Sequence, residues 1–119
     1  MRNIMFRTLF CLGLLTFSAL QAEEILINPS DSSQEQVQEA LILAKPGDTI
    51  KLQAGLYKFT DGLSLDVDNV RLIGEGMDKT ILSFADQLSG AQGLLVTSNK
   101  VVLKDFAIED AKGDALKVI

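Results

Sequence analysis

The sequence predicts an all-β chain, a parallel β-helix with one short N-terminal amphipathic helix capping the first coil. Three observations predict it. From Asp48 onward, short β-prone segments follow one another, separated by Gly, Asp and Asn turns. Their apolar pairs recur at intervals of one coil: Ile50/Leu52 precede Val70/Leu72 by 20 residues, and Leu94/Val96 precede Leu116/Val118 by 22. No segment is long enough to make a stable sheet with its neighbour, so its aliphatics are buried only by stacking against the next coil.

The first element is a targeting signal. Met1 to Ala22 reads as a secretory signal peptide, with Arg2 and Arg7 as the positive n-region and Thr8 to Leu20 as the apolar h-region. Ala22 supplies the small residue for cleavage before Glu23. The apolar run falls short of the roughly 20 residues a membrane span needs, and nothing after Ala22 is apolar enough to form one. Cys11 lies in the h-region after Phe10 rather than a small residue, which argues against a lipoprotein. It is the only cysteine, so residues 23–119 must hold together by packing without disulfides. The expected compartment is the periplasm or the exterior.

Glu24-Ile25-Leu26-Ile27 reads as a strand and Asn28 to Ser33 as a turn. Ser32 with Glu35 fits a capping box, with Asp31 as the competing cap. Val37, Ala40, Leu41 and Ala44 then recur at helical spacing until Pro46-Gly47 stops the helix. The helix is expected to pack over the first coil or an edge, protecting unpaired strands. The strand segments that follow are Thr49–Leu52, Leu56–Phe59, Leu63–Leu65, Val70–Ile73, Thr80–Phe84, Leu94–Val96, Val101–Leu103, Phe106–Ile108 and Leu116–Val118. Only Asp61-Gly62 fits a tight hairpin turn. Leu63/Leu65 precede Leu94/Val96 by 31 residues, one coil plus an insertion of nine placed in 85–93 or 74–79. Leu103 reads as inward, and Leu103→Ala is expected to cost about 2–5 kcal/mol if it is fully buried. Asn69 and Asn99 each precede a coil strand; a simple Asx turn and a polar ladder both fit them. The chain stops at Ile119 inside a strand-like run, so it is expected to be the truncated N-terminal portion of a longer β-helix.

Composition narrows the function. Without the signal peptide the chain has 9 basic and 16 acidic residues. That balance disfavours nucleic acid and anionic membranes. His and Trp are absent and Tyr57 is the only tyrosine. A histidine triad, a histidine metal site and a tryptophan sugar platform are therefore excluded. Gly74-Glu75-Gly76 followed by Lys79-Thr80 lacks the spacing of a phosphate loop and reads as a turn whose two glycines permit positive φ. The acids Asp105, Glu109, Asp110 and Asp114 concentrate late. Asp110 and Asp114 are weak calcium candidates through hard oxygen ligands, against a solvated turn or a carboxylate pair for acid–base work. Lys104, Lys112 and Lys117 read as a mixed-charge face beside them.

The runs Pro46-Gly47-Asp48-Thr49-Ile50-Lys51-Leu52, Ala54-Gly55-Leu56-Tyr57 and Leu72-Ile73-Gly74-Glu75-Gly76-Met77-Asp78-Lys79-Thr80-Ile81-Leu82 resemble the N-terminal coils of right-handed parallel β-helix proteins of the pectin lyase-like superfamily. Bacterial exported parallel β-helix repeat proteins are the nearest likeness, and it covers about Asp31 to Ile119. The resemblance implies the fold and an exported protein that binds or modifies a carbohydrate, such as an acidic polysaccharide. It implies no activity for these residues. In the lyases, hydrolases and epimerases with similar openings, the catalytic carboxylates and basic residues lie on later coils, so the catalytic residues are unknown. No cofactor is evident. The alternative function is a non-catalytic envelope scaffold or protein-interaction module, including self-association through the open last coil.

Overall fold

Alternating apolar and polar side chains over three or four residues give short strands with one inward face. The computed structural model describes residues 21–119. The expected signal peptide, Met1 to Ala22, falls almost wholly outside them. The chain runs β1 (Glu24–Ile27), α1 (Ser33–Leu43), β2 (Thr49–Leu52), β3 (Gly55–Lys58), β4 (Leu63–Leu65), β5 (Arg71–Ile73), β6 (Thr80–Ser83), β7 (Leu94–Val96), β8 (Val102–Lys104), β9 (Ala107–Glu109) and β10 (Leu116–Val118). The strands form three parallel sheets, ordered β1-β2-β5-β8, β3-β6-β9 and β4-β7-β10. From β2 onward the chain visits the first, second and third sheets in turn, three times. Asp61-Gly62 joins β3 to β4, which lie in different sheets, so no hairpin forms there.

Register puts like upon like. Ile25, Ile50, Leu72 and Leu103 occupy one row of the first sheet. Tyr57, Leu82 and Ile108 make a row of the second. Leu63, Leu94 and Leu116, with Leu65, Val96 and Val118, make two rows of the third. Ile50, Leu52, Leu63, Leu65, Leu72, Leu82 and Leu94 are fully buried. Each such side chain removed from water contributes about 1.5–3 kcal/mol. Phe59 stacks on Phe84 with centroids 5.1 Å apart, extending the core beside Tyr57.

The 22- and 31-residue spacings in the third sheet are those expected. In the first sheet the expected 20-residue spacing is wrong: Ile50 pairs with Leu72, a step of 22. The error is an even number of residues, so every side chain keeps its face. Both candidate insertions are real. The β5–β6 connection is longer than the β8–β9 one, and the β6–β7 loop is longer than the β3–β4 one. Leu103 faces inward, but with β8 at the edge of its sheet it is only partly buried.

The corners repeat as well. Gly47, Asn69 and Lys100 each lie two residues before a strand of the first sheet and each has positive φ. The Gly47 N–H donates to the Asn69 carbonyl at 2.7 Å, and the Asn69 N–H to the Asn99 carbonyl at 2.9 Å. Asn69 thus belongs to a ladder of backbone groups. In the Gly74–Gly76 turn only Gly76 needs positive φ. Gly74 is required for space, because a Cβ there would collide with the Asp105 carbonyl and the Thr80 side chain.

The capping box at Ser32 does not form, and Ser32 makes no side-chain cap. Ser30 and the buried Ser33 close the helix entry instead: the Ser33 hydroxyl donates to the Ser30 carbonyl and accepts the Ser30 N–H. Val37 and Leu41 anchor α1 on the core. Its polar side does what a further strand would do. Gln38 donates to the Ser64 carbonyl at 3.1 Å and accepts the Ser64 N–H at 3.0 Å. Gln34 accepts the N–H groups of Thr60 and Asp61. Two side-chain amides therefore occupy the outer edge of β4 and the turn before it, which is how the helix protects that edge.

Tyr57 is fully buried and donates its hydroxyl to the carbonyls of Ile27 at 2.9 Å and Gln53 at 2.7 Å. Burial, with the nearby Glu75 charge adding, pushes its pKa up to about 12. The neutral phenol stabilises the fold fully below the unfolded pKa of about 10, and that contribution is lost as pH rises through about 12. With one tyrosine and no tryptophan in the chain, ultraviolet titration reads this group alone. The phenolate band should rise near pH 12 in the folded protein and near 10 in denaturant; a folded-state midpoint near 10 would place Tyr57 in water.

Candidate functional site

Asp48 is the best-positioned ionisable group. The chain turns out of α1 at Ala44, and Asp48 enters β2 with its carboxylate folded back under that turn. It accepts the N–H of Lys45 at 2.8 Å and of Glu23 at 2.9 Å, and the residue is only 3 % exposed. The Lys45 N–H, then the Glu23 N–H, hold its pKa below the usual carboxylate value; burial opposes them and the Lys45 charge assists. Asp48 lies in the wall of a cleft of about 590 Å³ between β1 and α1, whose lining includes Glu23, Ile25, Leu43 and Lys45. Sequence reading missed Asp48. Its signal is an Asp directly after the Pro46-Gly47 stop, where its side chain can reach back to the Lys45 N–H of the same turn.

The late acids are dispersed. Asp105 and Asp110 have positive φ at the corners after β8 and β9, and Glu109 ends β9. Asp110 and Asp114 lie in the connection from β9 to β10. Among the described residues no group of three or more His, Cys, Asp or Glu side chains comes together to hold a metal ion, so Asp110 and Asp114 have no supporting ligand set. The expected Lys104, Lys112 and Lys117 face is divided: Lys104 is in the first sheet, Lys117 in the third, and Lys112 in the turn between β9 and β10. Among the described residues no helix is long and apolar enough to cross a membrane.

Three outward faces remain. The first sheet presents Glu24, Thr49, Arg71 and Val102 in one row and Leu26, Lys51, Ile73 and Lys104 in the next. The second presents Leu56, Ile81 and Ala107 beside Lys58, Ser83 and Glu109. The third presents Ser64, Leu95 and Lys117. At the end formed by β8, β9 and β10 each strand has one paired neighbour among the described residues. Leu103, Phe106, Ile108 and Leu116 there line a shallow cleft of about 340 Å³. In the inserted loop, buried Gln87 donates to the Ser89 and Gln92 carbonyls at 3.0 and 3.1 Å, fixing the loop beside the third sheet.

No family model matches this chain, and neither the curated proteins nor the solved structures contain a significant match to it.

Asp48→Asn offers one acceptor where the carboxylate serves two N–H groups. It should cost about 1–3 kcal/mol at neutral pH. The ionised Asp48 stabilises the fold above its unfolded pKa of about 3.9, and that contribution is lost as pH falls through the lower folded value. Chemical denaturation from pH 7 to 2 should show a smaller acid loss in the variant. Equal acid limbs would remove Asp48 from the account.

Proposed function

We propose that this chain forms coils of an exported right-handed parallel β-helix of the pectin lyase-like kind, which binds or modifies a carbohydrate. One observation carries the reading: three parallel sheets visited in strict rotation, with inner side chains aligned strand on strand. Such stacking leaves long regular outer faces, and a polymer with a short repeat can follow them. The apolar h-region at Thr8 to Leu20 supports export to the periplasm or exterior. No residue of the described chain is assigned a catalytic role in this reading.

The alternative is a non-catalytic envelope scaffold that associates with a protein partner or with itself. It is favoured by the end formed by β8, β9 and β10, where each strand has one paired neighbour among the described residues and Leu116 is 44 % and Val118 64 % exposed. Parallel edges of this sort pair readily with other chains.

One experiment separates the two. The exported chain is assayed for binding and for product formation against neutral and acidic polysaccharides, with sedimentation run alongside. The carbohydrate reading expects saturable binding to at least one polymer; no interaction with any would sink it. The scaffold reading expects a dimer or larger species at micromolar concentration, and a stable monomer would remove self-association.

A further inference from the structure

We infer that removal of residues 1–22 completes a salt bridge: the α-ammonium freed at Glu23 pairs with the covered carboxylate of Asp48 and locks the start of β1 onto the turn after α1. The inference takes its cleavage site from the export reading above and concerns the maturation of the chain, not its ligand.

Asp48 lacks a close countercharge. The residue is 3 % exposed, and a carboxylate so covered is ordinarily paired with a cation. Its two oxygens instead accept two backbone N–H groups, Lys45 at 2.8 Å and Glu23 at 2.9 Å. No cationic side chain of the described residues forms an ion pair with it, and the Lys45 charge acts from beyond ion-pair distance. The other charged groups lining the cleft are Glu39 from α1 and Glu23 itself, both acids. Glu24 of β1 and Arg71 of β5 lie in the neighbouring row, on either side of Thr49.

The carboxylate faces the atom that cleavage would free. The signal-peptide pattern puts the cut bond between Ala22 and Glu23. Independently, the fold puts Asp48 Oδ1 2.9 Å from the Glu23 nitrogen. Anchoring of the chain starts at the same residue. The Glu23 carbonyl accepts the Thr49 N–H at 2.9 Å, and the β1–β2 pairing begins with Glu24 on Thr49. Gln21 and Ala22, just before it, are exposed. A terminus one residue earlier would leave its charge in water, and one residue later would remove the donor.

The step is hydrolysis of the Ala22–Glu23 amide by an endopeptidase of the export route. One water is consumed as the C–N bond breaks. Its oxygen completes the Ala22 carboxylate, and both its hydrogens end on the Glu23 nitrogen as an ammonium. The N–H bond to Oδ1 keeps its place and becomes charged on both sides, which makes it roughly twice as strong as a neutral one. The other two N–H groups meet water, because Glu23 is exposed. Precursor and mature chain thus share their contacts and differ in one charge. β1 is the outermost strand of the first sheet, so the lock fastens an edge, and only after processing.

The test starts from the full chain, expressed with its own residues 1–22 in an exporting bacterial host. The intact mass of the product should be that of a chain beginning at Glu23. A product beginning elsewhere overturns the lock and keeps export; an uncleaved chain overturns both. The α-amino group is then acetylated with acetic anhydride at pH 7, in the folded protein and in denaturant. It should react at least about tenfold more slowly when folded, the effect of one unit of added proton affinity. Asp48→Asn keeps the size of the side chain and removes its charge. Its folded form should lose the protection, whereas mere burial of the amine would preserve it. A second protein carries one serine inserted between Ala22 and Glu23. It retains the carboxylate and the Glu23 amide N–H but moves the ammonium away, so it decides the matter even where Asp48→Asn does not fold. Its α-amino group should react as in denaturant, and at pH 7 its unfolding equilibrium constant should be about tenfold larger than the parent's. The parent's advantage is fully present below the unfolded amine pKa of about 8 and is lost as pH rises through the higher folded value. Equal reactivity of the parent and the serine-extended protein, or equal stability at pH 7, would overturn the lock.

Discussion

Parallel register between like residues is the constraint on which this structure depends. A strand of three residues can bury only one or two side chains, and neighbours in sequence go to other sheets. Burial therefore comes from the equivalent side chain one strand away. Ile50 is buried because Ile25 and Leu72 flank it, and Leu94 because Leu63 and Leu116 do. A slip of one residue would turn each inner row out to solvent and bring Lys51 or Arg71 inward, at a cost no other contact offsets.

The corners keep that register. Gly47, Asn69 and Lys100 take positive φ at equivalent places, and backbone hydrogen bonds run from Gly47 to Asn69 and from Asn69 to Asn99, the residue before Lys100. Only one of the three is glycine. Asn tolerates the left-handed region well; Lys at 58° carries a cost of about 1–2 kcal/mol that the ladder around it must offset. Between the third and first sheets the Thr97 hydroxyl donates to Asp66 at 2.7 Å and the Asn99 N–H to Asp68 at 2.8 Å. The acids of these turns are structural acceptors, which accounts for part of the chain's negative charge without any ligand.

Much of the fold was legible because strand alternation and turn residues are local signals. The helix stripe of Val37, Leu41 and Ala44, the Pro46-Gly47 stop and the ten strands all follow from spacing. What escaped depends on distant partners. The 20-residue spacing from Ile50 to Val70 competes with the observed 22, and both satisfy the apolar pattern; the strand pairing and the Gly47–Asn69 corner bond take the second. Gln34 and Gln38 look like ordinary polar residues of a helix until the β3–β4 turn and β4 lie beneath them. Asp48, Gln87 and the partial burial of Leu103 are likewise set by tertiary context. Of the candidate site, Asp110 and Asp114 are close in sequence, but among the described residues no further ligand joins them. The outward cations Lys51, Arg71 and Lys104, which fall in two adjacent rows of the first sheet, are far apart in sequence and share a face only once the register is known.

The most direct test of the account is a distance across one sheet. With Cys11 replaced by Ser, cysteines at positions 64 and 117 carry nitroxide labels on outward positions of β4 and β10, two strand steps apart through Leu95. Parallel in-register pairing predicts backbones about 10 Å apart and strong dipolar broadening of the electron paramagnetic resonance spectrum, abolished by denaturant. A folded protein whose doubly labelled spectrum equals the sum of the two singly labelled ones would contradict the stacking from which the rest of the account is built.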